Sequence, residues 1–261
     1  MKKDDDVKAL SKARFNKYAA GYVKSERHAR GQELSHLLKM VAPQGHWSML
    51  DIATGGGHVA LKFAPYVQHV SVLDAAPEML AQARSFLTGQ GAQVDYIVGD
   101  AEHLPLADES FHLVTCRIAP HHFPDVFRFV RECARLLKPG GYFLVQDIMA
   151  PPIEKDARYF DAFQRLRDPS HHRCYAKHEW EGMFMDAGLM IRRSETFNAA
   201  LRLVDWAKQQ EASPAVIERL QLLLLQAPAS VAEHLRPAYV GTEDAIFQQD
   251  YIILLGHKAE S

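Results

Sequence analysis

A doubly wound α/β fold, a largely parallel sheet covered by helices on both faces, is predicted by three features of this 261-residue sequence. Between Met49 and Asp147, short β-type runs alternate with helical stretches, the pattern of right-handed crossovers between parallel strands. The runs are apolar enough to be buried on both faces. The first of them leads through a glycine turn into a helix, which is where such sheets hold ligands.

The first strand covers residues 49–53 and closes at Thr54-Gly55-Gly56-Gly57. Residues 59–64 read as helical and stop at Pro65, which cannot sit inside a helix without losing a hydrogen bond. Residues 70–74 form the second strand. Pro77 then suits a first helical turn, and Met79, Leu80, Ala83 and Leu87 continue at helical spacing. Gly89 and Gly91 end that helix. Residues 94–98 are the third strand, closing at Gly99-Asp100, and 111–116 the fourth. A helix over 126–137 is expected to bury Val126, Phe127, Val130, Ala134 and Leu137. After Lys138-Pro139-Gly140-Gly141 comes the fifth strand, 142–146. Residues 151–235 read as helices, including stretches near 201–206 and 217–225, with one strand-like run at 189–191. Residues 246–255 read as the final strand. The expected organisation is one domain: an N-terminal helical lid (10–45), a cofactor-binding core (46–150), a helical substrate cover (151–240) and the last strand (241–261).

Composition narrows the classes. Hydrophobic residues make up 48% and charged residues 24%, ordinary for a globular chain and incompatible with overall disorder. Thirty Lys+Arg against 32 Asp+Glu leave a net charge of −2. A phosphate-backbone-binding surface normally leaves a basic excess, so nucleic acid is not an expected partner. No apolar run approaches the ~20 residues of a bilayer span, so no membrane contact is expected. Nothing behind Met1-Lys2-Lys3-Asp4-Asp5-Asp6 resembles a secretory signal. Cys116, Cys133 and Cys174 suggest neither a disulfide framework nor a metal clip, and a reducing cytoplasm is the expected compartment.

The glycine turn carries the strongest chemical signal. Glycines let the backbone approach a ligand and adopt positive φ. Gly55-x-Gly57-x-x-Ala60, with Asp74 further on, matches a dinucleotide fingerprint, so an NAD-dependent oxidoreductase is one reading. Against it, Asp51 places a carboxylate beside the loop, Asp100 adds another, and the loop carries no Arg or Lys. A ligand bearing adenosine, an ammonium and a sulfonium, such as S-adenosylmethionine, suits these acids better than a diphosphate. A cofactor-binding protein without transferase activity is a third reading.

The sequence resembles the class I S-adenosylmethionine-dependent methyltransferases, within them the ubiquinone/menaquinone C-methyltransferase-like group and related bacterial proteins. The shared stretches are Leu50-Asp51-Ile52-Ala53-Thr54-Gly55-Gly56-Gly57-His58-Val59-Ala60, Gly99-Asp100-Ala101-Glu102, the Thr115-to-Pro124 run containing His121-His122, Leu137-Lys138-Pro139-Gly140-Gly141 and Ser170-His171-His172-Arg173. The resemblance implies a seven-stranded sheet with an antiparallel last strand and methyl transfer to a small organic acceptor. It implies that Asp51, Ala53, Gly55 and Gly57 lie along the methionine part of the cofactor. Asp74, Ala75 and Met79 would surround the ribose, Asp100, Ala101 and Glu102 the adenine, and Arg117 would offer backbone. Ala53 departs from the glycine found in many relatives.

Methyl transfer from a sulfonium needs positioning and, for some acceptors, a base. His122, directly after the fourth strand, is the candidate base, with His121 beside it facing substrate. His171, His172 and Arg173 could clamp an anionic or phenolic acceptor. Asp147 ends the fifth strand towards the same mouth, as a substrate contact or a cap. Tyr18 could face the acceptor and Tyr22 the cofactor, from a helix folded over the site. No metal is expected: the histidine pairs are adjacent and no HExxH occurs. Surplus apolar residues in the late helices could line an acceptor pocket or a homodimer surface.

Overall fold

The computed structural model describes the backbone of residues 2–23 and 31–260, and the side chains of 4–19 and 33–260. Helices α1 (Lys2–Val23) and α2 (Gly31–Val41) precede the sheet. Then come β1 (Ser48–Ile52), α3 (His58–Phe63), β2 (His69–Asp74), α4 (Pro77–Gly89), β3 (Asp95–Val98), β4 (Phe111–Arg117), α5 (Val126–Leu136) and β5 (Leu137–Ile148). The chain continues through α6 (Glu154–Arg167), α7 (Lys177–Asp186), β6 (Leu189–Arg202), α8 (Leu203–Lys208), α9 (Pro214–Leu225), α10 (Ala229–Leu235) and β7 (Ile246–Lys258).

The strands form one sheet in the order β3-β2-β1-β4-β5-β7-β6. The first five run parallel, and β7 is antiparallel to both β5 and β6. From β1 the chain winds outward through β2 to β3, then returns beyond β1 to β4 and β5. This reversal opens a crevice at the carboxyl ends of β1 and β4.

Alternating side chains divide the core between the sheet faces. Leu113, Leu144 and Ile253 pack with Leu34 and Leu37 of α2 and Phe63 of α3. Their neighbours Val114, Phe143 and Ile252 pack on the other face with Phe129 and Val130 of α5 and Trp180 and Phe184 of α7. A third cluster joins α6, α8, α9 and α10 to the ends of β5, β6 and β7.

Four sequence expectations need correction. On α5 it is Phe129 that is fully buried, while Phe127 is exposed. The inward face follows Val126, Phe129, Val130 and Cys133, the i, i+3, i+4, i+7 set of a helix. Pro65 sits in a short 3-10 turn, Ala64–Tyr66, that extends α3. β5 begins at Leu137, with a register shift that takes up the Lys138-to-Gly141 bend. Finally, β6 is a 14-residue strand through what reads as helix at 201–202. It is an edge strand carrying Arg192, Arg193 and Glu195, so tertiary pairing with β7 outweighs a weak local signal.

Candidate active site

Strand β1 delivers Asp51 and then a sharp turn. Ala53 (φ 50°), Gly55 (φ 54°) and Gly57 (φ 83°) all adopt left-handed backbone. At Gly57 a Cβ would also lie 3.0 Å from Leu87 of α4, so glycine there permits both the turn and the close helix approach. The Gly55 N–H donates to Asp74 Oδ2 at 3.1 Å and the Ala76 N–H to Asp74 Oδ1 at 3.0 Å. The carboxylate at the tip of β2 thus ties the turn to the start of α4.

These strand tips line one cavity of about 430 Å³. Asp51, Ala53, Gly55, Asp74, Ala75, Met79, Asp100, Ala101, Glu102, Arg117 and His122 all line it. Gly57 does not; it shapes the turn from behind. Asp51 is buried and accepts hydrogen bonds from Thr54 Oγ1 at 2.6 Å and Thr115 Oγ1 at 2.7 Å. Its pKa is pushed up to about 6 by burial, against the pull of the two hydroxyls and of Arg117. Burial raises Asp74 as well, although backbone N–H groups oppose it. Asp100 is lowered: burial works against its charge, but the Lys8 ammonium and the Glu102 N–H outweigh it.

The cavity's cover comes from α1. Lys8 Nζ lies 2.7 Å from Asp100 Oδ2 and also pairs with Glu102. Phe15 packs its edge against the His122 ring at 4.9 Å. No described residue between 151 and 240 lines the cavity; the stretch expected as substrate cover packs mostly on the β5–β7–β6 end of the sheet and meets the site only from behind, through Ser170 against His122 and through Asp168, Gln210 and Glu211 against α1.

After β4 the chain passes through Ile118, whose φ of 52° is strained for a β-branched side chain. It then forms a 3-10 turn, Pro120–His122. His121 points into the core, where its Nδ1 lies 2.6 Å from Asp147 Oδ1, and its N–H donates to Asp147 Oδ2 at 2.9 Å. Asp147 therefore acts as a cap for this turn, and neither residue lines the cavity.

His171 is likewise buried, with Nε2 2.8 Å from Asp161 Oδ1. His172 donates its N–H to the His121 carbonyl at 2.8 Å. Arg173 pairs with Glu179 and lies over the Tyr175 ring at 4.6 Å. None of the three lines the cavity, nor does Tyr18, whose hydroxyl donates to Glu211 at 2.9 Å. The side chain of Tyr22 lies outside the described residues.

The methyltransferase domain family matches residues 50–145, spanning the turn, all three strand-tip acids and β4. The uncharacterized methyltransferase YcgJ of Bacillus subtilis is 39% identical over 196 residues, covering 75% of this chain and 78% of that protein. The chain is a class I methyltransferase. The crystal structure of YcgJ superimposes on this methyltransferase with a TM-score of 0.84 at 33% identity, covering 88% of this chain and 99% of that one. The ubiquinone/menaquinone biosynthesis C-methyltransferase UbiE of Bartonella tribocorum is 38% identical over 131 residues, 46% of this chain and 50% of its own length. Family membership overturns the NAD-dependent oxidoreductase reading.

Several residues in or behind the cavity of the methyltransferase escape a reading by local motif. Thr115 reaches Asp51 only because β1 and β4 pair in register at that pair. Lys8, Lys12 and Phe15 line the cavity from α1, ahead of or among the first residues expected to be helical. Their signal was spacing: positions 8, 12, 15 and 19 fall on one helical face, and Ala19 is buried against Ala76 and Met79.

Proposed function

We propose that this methyltransferase binds S-adenosylmethionine in the crevice and transfers its methyl group to a small organic acceptor placed beside His122. The observation that carries the reading is the convergence of Asp51, Asp74 and Asp100, from the ends of β1, β2 and β3, on one cavity of about 430 Å³. The donor set fits the cofactor. Asp51 suits an ammonium, Asp74 faces the site with backbone-anchored oxygens, and Asp100 with Ala101 and Glu102 closes the far end. When bound, S-adenosylmethionine supplies a methyl group already activated on a sulfonium.

The chain's own residues then orient and exclude water. Asp51 and Asp74 hold position through fixed hydrogen bonds, so little reorganisation is needed on binding. Phe15, Ala119, Phe123 and Pro124 line the His122 side of the cavity, and apolar walls there favour an apolar acceptor body. Burial and the neighbouring His121 hold His122 well below its usual pKa, which leaves the ring neutral. A neutral ring held this way is a weak base, suited to accept a hydrogen bond from an acceptor O–H or N–H and so orient it towards the methyl group. The −2 net charge of the chain supports a small acceptor over nucleic acid.

Calorimetry with S-adenosylhomocysteine and, separately, NAD tests the cofactor. Saturable binding of the first alone is expected. Asp74→Asn should weaken it by ~1–3 kcal/mol, the scale of hydrogen bonds to a charged group. Binding of NAD alone, or no effect of Asp74→Asn, would refute the assignment.

A further inference from the structure

We propose that the Asp168-to-Ser170 turn is a positioning device that fixes His122 as the Nδ1–H tautomer, so that Nε2 carries the lone pair on the cavity side. The inference rests on the reading that methyl transfer takes place beside His122.

The hydrogen-bond polarity decides the tautomer. His122 Nδ1 lies 3.0 Å from the carbonyl oxygen of Ser170, which can only accept. The other oxygen in reach is Ser170 Oγ, at 3.3 Å. That hydroxyl has one hydrogen, and it points away: Ser170 Oγ donates to Asp168 Oδ1 at 2.5 Å. Nδ1 therefore faces two acceptors and must itself carry the proton. Among the described residues nothing bonds Nε2, and the side chain lines the cavity. A base needs that arrangement: one ring nitrogen anchored as donor, the other open as acceptor.

The turn is itself held rigidly. Asp168 Oδ1 also accepts the Ser170 N–H at 3.0 Å, an Asx turn that aims the Ser170 carbonyl. Arg14 of α1 reaches the same oxygen, with Nε at 3.0 Å. The cavity's cover and the orientation of His122 thus meet at one carboxylate, although Asp168 itself does not line the cavity.

The test reads the tautomer directly, by long-range proton–nitrogen correlation NMR on the full chain labelled at histidine nitrogens, with and without S-adenosylhomocysteine. His122→Gln identifies the His122 signals by their loss. The expected result is an Nδ1–H ring in the native protein. Asp168→Asn keeps an acceptor oxygen for the Ser170 N–H and should retain that tautomer. Asp168→Ala removes it and should shift His122 towards the Nε2–H form. An Nε2–H ring in the native protein overturns the proposal, as does an unchanged tautomer in Asp168→Ala or its loss in Asp168→Asn. The native spectrum decides alone should the alanine variant fail to fold. Because the tautomer is read without a methyl acceptor, a failure of S-adenosylhomocysteine to bind would count against the functional reading and not against this one.

Discussion

Asp51→Asn should make the ligand-free protein more stable and its ligand weaker. The carboxylate is 1% exposed and titrates at about 6, where its ordinary value is 3.8. At about 1.4 kcal/mol per tenfold change in proton affinity, that difference amounts to about 3 kcal/mol. The sign follows from linkage: the folded protein holds this proton more tightly than the unfolded chain. The favourable contribution is therefore complete below 3.8 and is lost as the pH rises through about 6. At neutral pH the protein carries a buried negative charge at a cost of about 3 kcal/mol. Asparagine mimics the protonated state at every pH, and the Thr54 and Thr115 hydroxyls can each turn to suit an amide. Urea unfolding of both proteins from pH 4 to pH 8 checks this. The variant's advantage should be near zero at the acid end, grow through the intermediate range and level off at about 3 kcal/mol above the folded pKa. S-adenosylhomocysteine, whose ammonium compensates the charge, should raise the unfolding midpoint of the native protein more than that of the variant. A stability difference independent of pH, or a destabilised variant, would refute the reasoning.

Three other substitutions follow from the same geometry. Ala53→Gly relieves a left-handed backbone that costs an L-residue ~1–2 kcal/mol, set against glycine's added unfolded-state freedom of ~0.4–1 kcal/mol. A net gain of ~0.5–1 kcal/mol in urea unfolding is expected, and a loss would contradict the strain. Asp147→Ala leaves the His121 N–H and ring without their acceptor in the core and should cost ~1–3 kcal/mol for each donor left unmet. Calorimetry should show its S-adenosylhomocysteine affinity intact, whereas a loss of affinity in a stable variant would return Asp147 to the binding site. Lys8→Met frees Asp100 from a partly exposed ion pair worth ~1 kcal/mol. Severalfold tighter S-adenosylhomocysteine binding with a weaker salt dependence is expected; a looser complex would make Lys8 a ligand contact instead of a competitor.

Much of the catalytic half is legible in the sequence because local and tertiary demands coincide there. Strands buried on both faces read as apolar runs, and the Gly55–Gly57 turn needs residues that few other structures need. The acids at the tips of β2 and β3 follow directly from locating those strands. What is illegible depends on partners distant in the chain. The edge strand β6 carries charges on exposed positions and acquires its extended form from β7. Thr115 looks like any β-branched strand residue until β1 lies beside it. The Ser170-to-Arg173 run has a composition suited to binding, but direction separates its members. His171 turns inward to Asp161, His172 is tied through its backbone to His121, and Arg173 pairs with Glu179 on α7.

The N-terminal helix joins these observations into one physical picture. A rise of about 1.5 Å per residue puts Lys8 and Phe15 roughly 10 Å apart along α1. One residue meets the Asp100 and Glu102 end of the crevice and the other meets His122. Arg14, one residue before Phe15, reaches the turn that orients His122. Buried aliphatic contacts hold most helices of this protein to the sheet. Over the crevice, α1 adds to one small apolar contact, Ala19 and Phe15 against Ala76 and Met79, a set of ion pairs, the kind of contact that water and salt weaken most readily. Charge changes at the strand tips and a change in the His122 ring are therefore both felt along a single helix, so cofactor affinity and histidine tautomer should respond together when α1 is loosened.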